Sequence, residues 1–269
     1  MVYITGDTHG DYDIFKIKSF RYNFKDGDTL IICGDFGGVW YPEDSDFKRN
    51  TEDNLIIGFY TSLPIDVCFI DGNHENYDRL YKYPIVDYKG GKAHKITDNV
   101  YHLIRGEVFT IEGQTFLAMG GACSHDIQDG VLEIDDPRII EWSKDRYKMF
   151  RINHLSWWKE EVPSEEERNH CLETLKKYNY EVDCILTHEA PTDFLYRISR
   201  YLRCGRLEIH EYSNWLETLR RTVSYKAWCF GHYHIDIEVS KNERCFYNEI
   251  RGVKNGCLVY RVDSDQSEI

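Results

Sequence analysis

Residues that could bind a metal ion recur at five positions in the sequence, each directly after a short apolar run. One example is Val67–Ile70, a run typical of a buried strand, after which Asp71-Gly72 turns the chain into Asn73-His74-Glu75. Open α/β sheets bind their ligands at the carboxyl ends of such strands. A capped turn would account for any one fragment. Five fragments of the same kind favour a single shared site.

The donor types at these strand ends indicate transition-metal chemistry. Residues i and i+2 at a strand end point to the same side, so one ion can be shared within an Asp-x-His or His-x-His fragment. Imidazole and carboxylate together suit Mn²⁺, Fe, Zn²⁺ or Ni²⁺ better than Mg²⁺ or Ca²⁺. The set is too large for one four-coordinate ion and is about right for two ions with one bridging carboxylate. Its members are Asp7, His9, Asp35, Asn73, His188, His232 and His234, with His74 beside them.

The composition disfavours extended contact with nucleic acid or with an anionic membrane. The chain has 269 residues, of which 42% are hydrophobic, and a formal net charge of −13. Such an acidic surface repels polyanions. A small phosphorylated substrate is still compatible, because bound divalent cations reverse the local potential. No apolar run is long enough to span a bilayer, and no signal peptide is visible at the N-terminus.

The cysteines indicate reduced thiols and a cytoplasmic location. There are nine, an odd number, and they form no Cys-x-x-Cys pair. Several of them, namely Cys33, Cys68, Cys184 and Cys229, lie inside apolar runs that are predicted to be buried strands. This pattern fits core thiols better than a disulfide framework or a zinc finger.

Strands and helices alternate early in the chain and hairpins dominate late, which predicts a single α/β domain over residues 1–269. Irregular excursions are expected at about residues 122–163 and 190–212. Three short strands between residues 100 and 119 are predicted to form a meander that begins a second sheet, with a hairpin turn at Glu112-Gly113-Gln114. The predicted helices are Ile14–Phe20 with Asp11 as a cap, Asp46 to about Leu63, Ser164 to about Tyr178 with a Ser164/Glu167 capping box, and Trp215–Ser224.

The fragments Gly6-Asp7-Thr8-His9-Gly10, Gly34-Asp35, Gly72-Asn73-His74-Glu75, Thr187-His188 and Gly231-His232-Tyr233-His234 occur in a characteristic order. From near residue 2 to about 235, the chain resembles the calcineurin-like metallophosphoesterases, in particular bacterial and phage members. The resemblance implies a four-layer α/β/β/α sandwich in which two central mixed sheets are flanked by helices.

The same resemblance implies a dinuclear metal site, with Mn²⁺ as the favoured ion. The first metal would be held by Asp7, His9, Asp35 and His234. Asp35 would bridge, and Asn73, His188 and His232 would complete the second. Two such ions give a water of lowered pKa for attack on a phosphate mono- or diester. His74 would be the general acid that protonates the leaving alkoxide.

One departure from the family pattern bears on the substrate. Ser/Thr phosphoprotein phosphatases of this family place an Asp and an Arg at the positions occupied here by Gly38 and Val39, so that alternative is disfavoured. A residue that binds phosphate would then come from an excursion, where the candidates are Arg138, Arg146, Arg151, Arg197, Arg200 and Arg203. A catalytically silent binding module on the same fold is a further alternative. Trp157-Trp158 is interpreted as a hydrophobic anchor rather than a base-stacking platform.

Overall fold

The computed structural model describes residues 1–10, 12–42, 47–203 and 207–259. Asp11 and Asp46, which were expected to begin two helices, lie outside these ranges. The strands in chain order are β1 (Val2–Thr5), β2 (Thr29–Cys33), β3 (Asp66–Ile70), β4 (Ile85–Tyr88), β5 (Gly91–Lys95), β6 (Val100–Leu103), β7 (Val108–Ile111), β8 (Gln114–Met119), β9 (Gly130–Leu132), β10 (Phe150–Ile152), β11 (Cys184–Thr187), β12 (Ala227–Phe230), β13 (Ile237–Ser240), β14 (Glu243–Cys245), β15 (Arg251–Lys254) and β16 (Cys257–Val259).

The helices cover both outer surfaces of the sheets. They are α1 (Phe15–Phe20), α2 (Phe47–Thr61), α3 (Tyr77–Leu80), α4 (Arg138–Trp142), α5 (Glu165–Lys177), α6 (Thr192–Leu202) and α7 (Glu211–Thr222). Helix α5 begins with the predicted capping box, in which Ser164 and Glu167 each satisfy the other's backbone N–H. Within the described ranges, no helix combines the length and apolarity needed to cross a bilayer.

Two large mixed sheets form the centre of the fold. The first has the strand order β16-β15-β1-β2-β3-β6-β5-β4, and the second has the order β13-β14-β12-β11-β8-β7. Strands β1, β2, β3 and β6 run parallel to one another, as do β8, β11, β12 and β14. The carboxyl ends of β1, β2 and β3 therefore meet at one edge of the first sheet, and those of β11 and β12 meet at one edge of the second.

Side-chain alternation along the strands produces the four layers. Along β1, Val2 and Ile4 belong to the core between the two sheets, while Tyr3 belongs to the core under α1 and α2. The second sheet likewise turns Ile185 toward α5, α6 and α7 and Leu186 toward the first sheet. Buried strands rich in β-branched residues favour this arrangement because both of their faces are apolar. The α/β/β/α sandwich expected from the sequence is confirmed.

Buried thiols in the inter-sheet core agree with the interpretation of the cysteines. Cys33, Cys68, Cys184 and Cys229 are completely buried there. Each cysteine in the described ranges is a free thiol.

The predicted three-strand meander is wrong. The hairpin of β7 and β8 exists, but β6 pairs in parallel with β3 and belongs to the first sheet. The edge strand β4 and its neighbour β5 were not anticipated, because neither Ile85–Tyr88 nor Gly91–Lys95 contains a continuous apolar run. Local patterning indicated strands here and could not say which sheet each would join.

Helix α6 occupies a stretch that was predicted to be irregular. The arginines of this segment hid an amphipathic pattern, in which Phe194, Leu195 and Ile198 are buried against the second sheet. Arg197 lies on the exposed side of the helix, where it pairs with Asp193. Apolar residues at this spacing define a helical face even when charged residues separate them.

The first excursion is less regular. It contains α4 and a small parallel pair formed by β9 and β10. Trp158 is completely buried, and its indole N–H donates to Asp78 at 2.8 Å. This burial confirms the anchor role of Trp158 and excludes it as a stacking platform.

A buried ionic cluster underlies the Gly72-Asn73-His74 turn. The Arg105 guanidinium donates to Asp71 through Nε at 2.8 Å and also contacts Asp71 through Nη2. The Tyr77 hydroxyl donates to the same carboxylate at 2.9 Å, and His102 Nε2 lies 2.9 Å from its other oxygen. These contacts hold the pKa of Asp71, although burial raises it, far below its ordinary value.

We expect Arg105→Met to lower the free energy of unfolding by about 3–5 kcal/mol, because Asp71 would remain buried without its cationic partner. Arg138→Met is the matched control: Arg138 pairs with Asp136 at the surface, where solvent screens the charges and loss of the pair should change stability little. Urea unfolding followed by circular dichroism measures both changes. Equal effects of the two substitutions would contradict the structural role of the Arg105 cluster.

Candidate metal centre

All eight residues singled out in the sequence lie together at the carboxyl ends of five parallel strands. Asp7 and His9 follow β1, Asp35 follows β2, Asn73 and His74 follow β3, His188 follows β11, and His232 and His234 follow β12. Asp7, Asp35, Asn73, His188 and His232 are buried. His234 is half exposed, which opens the site to solvent on that side. Both sheets thus contribute to one cluster.

Asp35 is at the centre of this cluster. Its Oδ2 lies 3.1 Å from His9 Nε2, and its Oδ1 lies 3.2 Å from His188 Nε2. The backbone N–H of His74 donates to Oδ1 at 2.9 Å. Its two carboxylate oxygens therefore face histidines from different sheets.

The remaining distances divide the imidazoles into two groups. His9 and His234 have ring centroids 4.8 Å apart, and His234 Nε2 lies 3.4 Å from Asp7 Oδ2. His188 and His232 have centroids 4.9 Å apart. Potential ligand atoms within 4.8 Å of one another form two triads, His9–Asp35–His74 and Asp7–Asp35–His188. Both triads contain Asp35, and the second one connects Asp7 with His188 across the two groups.

Unpaired atoms in the second group fit a cation. Asn73 Oδ1, His188 Nε2 and His232 Nε2 are buried, and within the described part of the chain they form no hydrogen bond, although His188 Nε2 lies 3.2 Å from Asp35 Oδ1. Buried polar atoms without partners are costly, and native structures satisfy nearly all of them. The amide oxygen and the nitrogen of each neutral imidazole offer a lone pair, so a divalent ion that displaces the proton drawn to His188 would bind all three atoms. These buried polar atoms are therefore evidence, independent of the sequence pattern, that the residues fit a metal ion.

The electrostatics of the site favour positive charge. Burial lowers the pKa of His188, but the Asp35 and Asp7 charges outweigh it and raise that pKa to about 10. The same balance, with a hydrogen bond to Asp35, raises the pKa of His9 to about 9. Burial and the neighbouring His188 and His125 hold the pKa of His232 well below its ordinary value. A cation can replace the protons that the carboxylates attract, so metal binding would release protons.

The backbone at the site is held in conformations that side chains seldom adopt. His9, Asp35, His232 and His234 have φ values of 38°, 50°, 72° and 49°. Left-handed backbone at a residue other than glycine costs of order 1–3 kcal/mol and clusters at functional sites. Backbone hydrogen bonds from Thr8 and His9 to the Asp35 carbonyl, at 3.0 and 2.8 Å, help to hold these turns.

Several residues that support the cluster were not anticipated from the sequence. Asp13 lies 2.6 Å from His9 Nδ1, which leaves Nε2 turned toward Asp35. The Tyr247 hydroxyl donates to Asp13 at 2.8 Å, and the Tyr247 ring stacks on His234. Lys16 Nζ donates to the Asp7 carbonyl at 2.6 Å. Asp13 follows His9 by four residues, which is a weak signal, and Tyr247 gives none.

The first excursion also reaches the site. His125 stands beside His232, with ring centroids 4.4 Å apart. A chain of two hydrogen bonds connects Asn73 to Glu161 through Ser124. The Asn73 amide donates to Ser124 Oγ at 3.4 Å, and the Ser124 hydroxyl donates to Glu161 at 2.7 Å. Ser124 belongs to no recognisable sequence pattern, and Glu161 lies in the segment of residues 157–164, whose sequence was interpreted as a hydrophobic anchor and gave no sign of this contact.

The six candidate arginines differ in environment. Arg151 on β10 is largely buried and pairs with Asp126, the residue after His125, with Nε–Oδ1 at 2.9 Å. Arg138 and Arg146 are exposed, Arg197 pairs with Asp193 on α6, and Arg200 and Arg203 are exposed near the end of that helix. Burial lowers the pKa of His74, and Arg151 is close enough for its charge to lower that pKa further.

Two stacked mixed sheets carry a cluster of aspartate and histidine at their strand ends, a donor set that suits divalent transition-metal ions. The model of the calcineurin-like phosphoesterase family matches residues 1–236, and the chain belongs to this family. A comparison with curated proteins gave no match. Members of the family bind divalent metals and act on phosphoesters, so the general activity of this chain is metal-dependent phosphoester hydrolysis.

We expect Gly72→Ala to distort the cluster, because its Cβ would stand 2.1 Å from Asp35 Oδ1 and 2.8 Å from His188 Nε2. The free energy of unfolding should fall by about 1–3 kcal/mol, and Mn²⁺ uptake should fall with it. Gly58→Ala, within α2, is the control: its Cβ meets nothing within 4 Å, and stability should rise by about 0.5–1 kcal/mol. Urea unfolding and Mn²⁺ titration test both, and unchanged Mn²⁺ uptake by Gly72→Ala would refute the close packing.

Proposed function

We propose that the chain is a dinuclear metallophosphoesterase that hydrolyses phosphate mono- or diesters of small molecules. Asp7, His9, Asp35 and His234 would hold one ion, and Asp35, Asn73, His188 and His232 the other. The observation that supports this division most strongly is the position of the Asp35 oxygens, one beside His9 and the other beside His188. The mixture of imidazole, carboxylate and amide donors favours Mn²⁺, with Fe, Zn²⁺ or Ni²⁺ as alternatives.

The protein's own residues would orient the ester and deliver a proton. When bound, the two cations supply a water nucleophile of lowered pKa and neutralise charge on the phosphoryl oxygens. His74 lies beside the cluster, with its ring 5.4 Å from that of His9 and 5.6 Å from that of Trp40. Its backbone is fixed by the hydrogen bond to Asp35. We propose that its imidazole donates the proton that the leaving alkoxide requires.

His74→Ala should lower kcat by about 10²–10⁴-fold, the usual contribution of a general acid, while metal content stays near that of the wild type. His170→Ala is the matched control, since His170 pairs with Glu107 on the protein surface. The measurement uses metal-stripped protein reconstituted with Mn²⁺ and compares a generic phosphomonoester with a generic phosphodiester. Metal content is determined in parallel by elemental analysis.

The same assay separates the remaining alternatives. Asp35→Ala should lose both Mn²⁺ ions and all turnover. Loss of both ions from His74→Ala would instead make His74 a ligand, as its membership in one of the triads permits. A wild-type protein that binds two Mn²⁺ ions but cleaves neither ester would favour a narrowly specific enzyme or a silent binding module.

The substrate phosphate requires a positive group besides the metals, and we propose Arg151 for this role. It lies in the first excursion, where it pairs with Asp126, the residue after His125. Burial is the main cause of the lowered His74 pKa, and the Arg151 charge adds to it, so the guanidinium and the His74 imidazole lie near each other. A planar guanidinium held by a carboxylate can still offer N–H groups to a phosphoryl oxygen.

Arg151→Ala should lower kcat/KM by roughly 10–100-fold, the loss expected for a charged hydrogen bond, with Mn²⁺ content unchanged. Arg138→Ala, in the same excursion but exposed and paired with Asp136, should leave kcat/KM unaltered. Steady-state kinetics on the preferred ester measures both variants. Identical constants for Arg151→Ala and wild type would remove Arg151 from the site.

The protein-phosphatase alternative is disfavoured by packing as well as by sequence. Val39 is completely buried in the core under α2, and a Cβ on Gly38 would stand 2.5 Å from the Phe36 ring. An Asp and an Arg at these positions would need a different loop. We therefore propose a small phosphorylated substrate. We also propose one domain over residues 1–269 and a cytoplasmic location, with support from the free thiols.

A further inference from the structure

The Asn73 amide can face the proposed second metal with its oxygen or with its NH₂ group, and the other proposed ligands do not determine which. An asparagine side chain offers an oxygen that can bind a cation and an NH₂ group that cannot, and the two are almost the same size. In the structure, Asn73 Nδ2 donates to Ser124 Oγ at 3.4 Å, and the buried Oδ1 has no hydrogen-bond partner among the residues that the structure describes. The oxygen is thereby left for the second metal, provided that Ser124 accepts rather than donates.

Glu161 decides which way the Ser124 hydroxyl points. Its Oε1 accepts from the Ser124 backbone N–H at 2.8 Å, and its Oε2 accepts from the Ser124 hydroxyl at 2.7 Å. Burial raises the pKa of Glu161 to about 7, and above that pH the side chain can only accept hydrogen bonds. The hydroxyl proton is then committed to Glu161, and the lone pairs of Oγ face the amide.

The structure fixes Glu161 relative to Asn73 through the cluster beneath the site. Arg105 Nη2 donates to the carbonyl of Glu160 at 2.7 Å, and the same guanidinium binds Asp71, two residues before Asn73. The Ala122 backbone N–H donates to the Glu161 carbonyl at 3.0 Å. Both ends of the first excursion are therefore bound to the turn that presents Asn73.

Burial of the Glu161 carboxylate is energetically unfavourable unless its hydrogen bonds compensate for it. It is 1% exposed, and within the described part of the chain no cationic side chain forms an ion pair with it. Burying a carboxylate without a cationic partner costs free energy unless hydrogen bonds compensate for the lost solvation. Its side chain here is directed at Ser124.

We propose that Glu161, acting through Ser124, is a positioning residue that directs the Asn73 carbonyl oxygen toward the second metal. This inference rests on the dinuclear function proposed above. It assigns the first excursion a direct part in metal binding, in addition to supplying Arg151. Residues that orient metal ligands in this way typically contribute 10–100-fold to metal affinity.

The test is Mn²⁺ titration calorimetry on the full-length, metal-stripped protein, in buffer more alkaline than the Glu161 pKa. Glu161→Gln keeps the shape but replaces one accepting oxygen by a donor, so the Ser124 hydroxyl proton can turn toward Asn73 and favour the flipped amide. Ser124→Ala removes the hydroxyl. Both should weaken one of the two Mn²⁺ sites by about 10–100-fold and leave the other unchanged.

Three further variants separate positioning from general damage. Ser124→Thr retains a hydroxyl and should recover most of the lost affinity. The double variant Glu161→Gln/Ser124→Ala should bind Mn²⁺ no more weakly than Ser124→Ala, because the two residues act as one unit. Ser156→Ala removes a serine of the same excursion that accepts from the Ile152 N–H, and it should bind Mn²⁺ as the wild type does. Circular dichroism of the metal-free variants reports whether each one folds.

The outcomes distinguish this inference from the function on which it rests. Wild-type protein that takes up fewer than two Mn²⁺ ions would overturn the dinuclear assignment and the role of Glu161 together. Two equally tight Mn²⁺ sites in wild type and in folded Glu161→Gln would overturn the role of Glu161 alone. Loss of both sites to the same extent in Glu161→Gln and Ser156→Ala would also overturn it, because that result describes a loosened loop.

Discussion

The Asp35 carboxylate is the contact on which the two halves of this structure depend. It follows a strand of the first sheet, yet one of its oxygens faces His188 from the second sheet. The carboxylate is buried beside that of Asp7, and like charges so placed repel strongly unless cationic groups surround them. Protonated His9 and His188 fulfil that need here, and the proposed metal ions would fulfil it better. The inter-sheet core and the chemistry of the site are therefore coupled through Asp35, with Asp7 beside it in contact with His188 and His234 of the second sheet.

The ligands from both sheets can meet at one site only with strained backbone and close packing at the strand ends. Four of the proposed ligands have left-handed backbone, and the glycines beside them leave no room for a side chain. Gly34 has a φ of 91°, and a Cβ there would stand 2.1 Å from His188 Nδ1. The apolar strands on which these turns are mounted hold them in place, as expected when a stable scaffold offsets a locally unfavourable geometry.

Features that depend on neighbouring residues could be predicted from the sequence, whereas features that depend on contacts between distant residues could not. The strand ends could be predicted because ligand types directly follow apolar runs, and the outcome brings all eight residues together. Asp13, Tyr247, Ser124 and Glu161 were missed, because their value depends on tertiary contacts such as that of Tyr247 with Asp13, 234 residues apart. Sheet membership failed for a related reason: the pattern of β6 identifies a strand, whereas its partner β3 is defined by the assembled fold. The prediction of an irregular segment where α6 lies failed for a different reason. The many arginines of this segment obscured the regular spacing of its apolar residues.

The sheets and the first excursion have different roles in the proposed metal centre. The sheets supply carboxylates, whose two oxygens are equivalent as ligands, and imidazoles, whose orientation is set by contacts such as that of Asp13 with His9. An amide ligand is different, because one rotation about its terminal bond exchanges an oxygen for an NH₂ group. A neighbour with fixed donor and acceptor roles must choose between them, and Ser124 with Glu161 are the groups in contact that can do so. If the amide is the ligand that most needs external orientation, then the irregular segment that supplies it is as much a part of the proposed centre as the strands. Differences in such segments would then alter metal affinity as well as substrate choice.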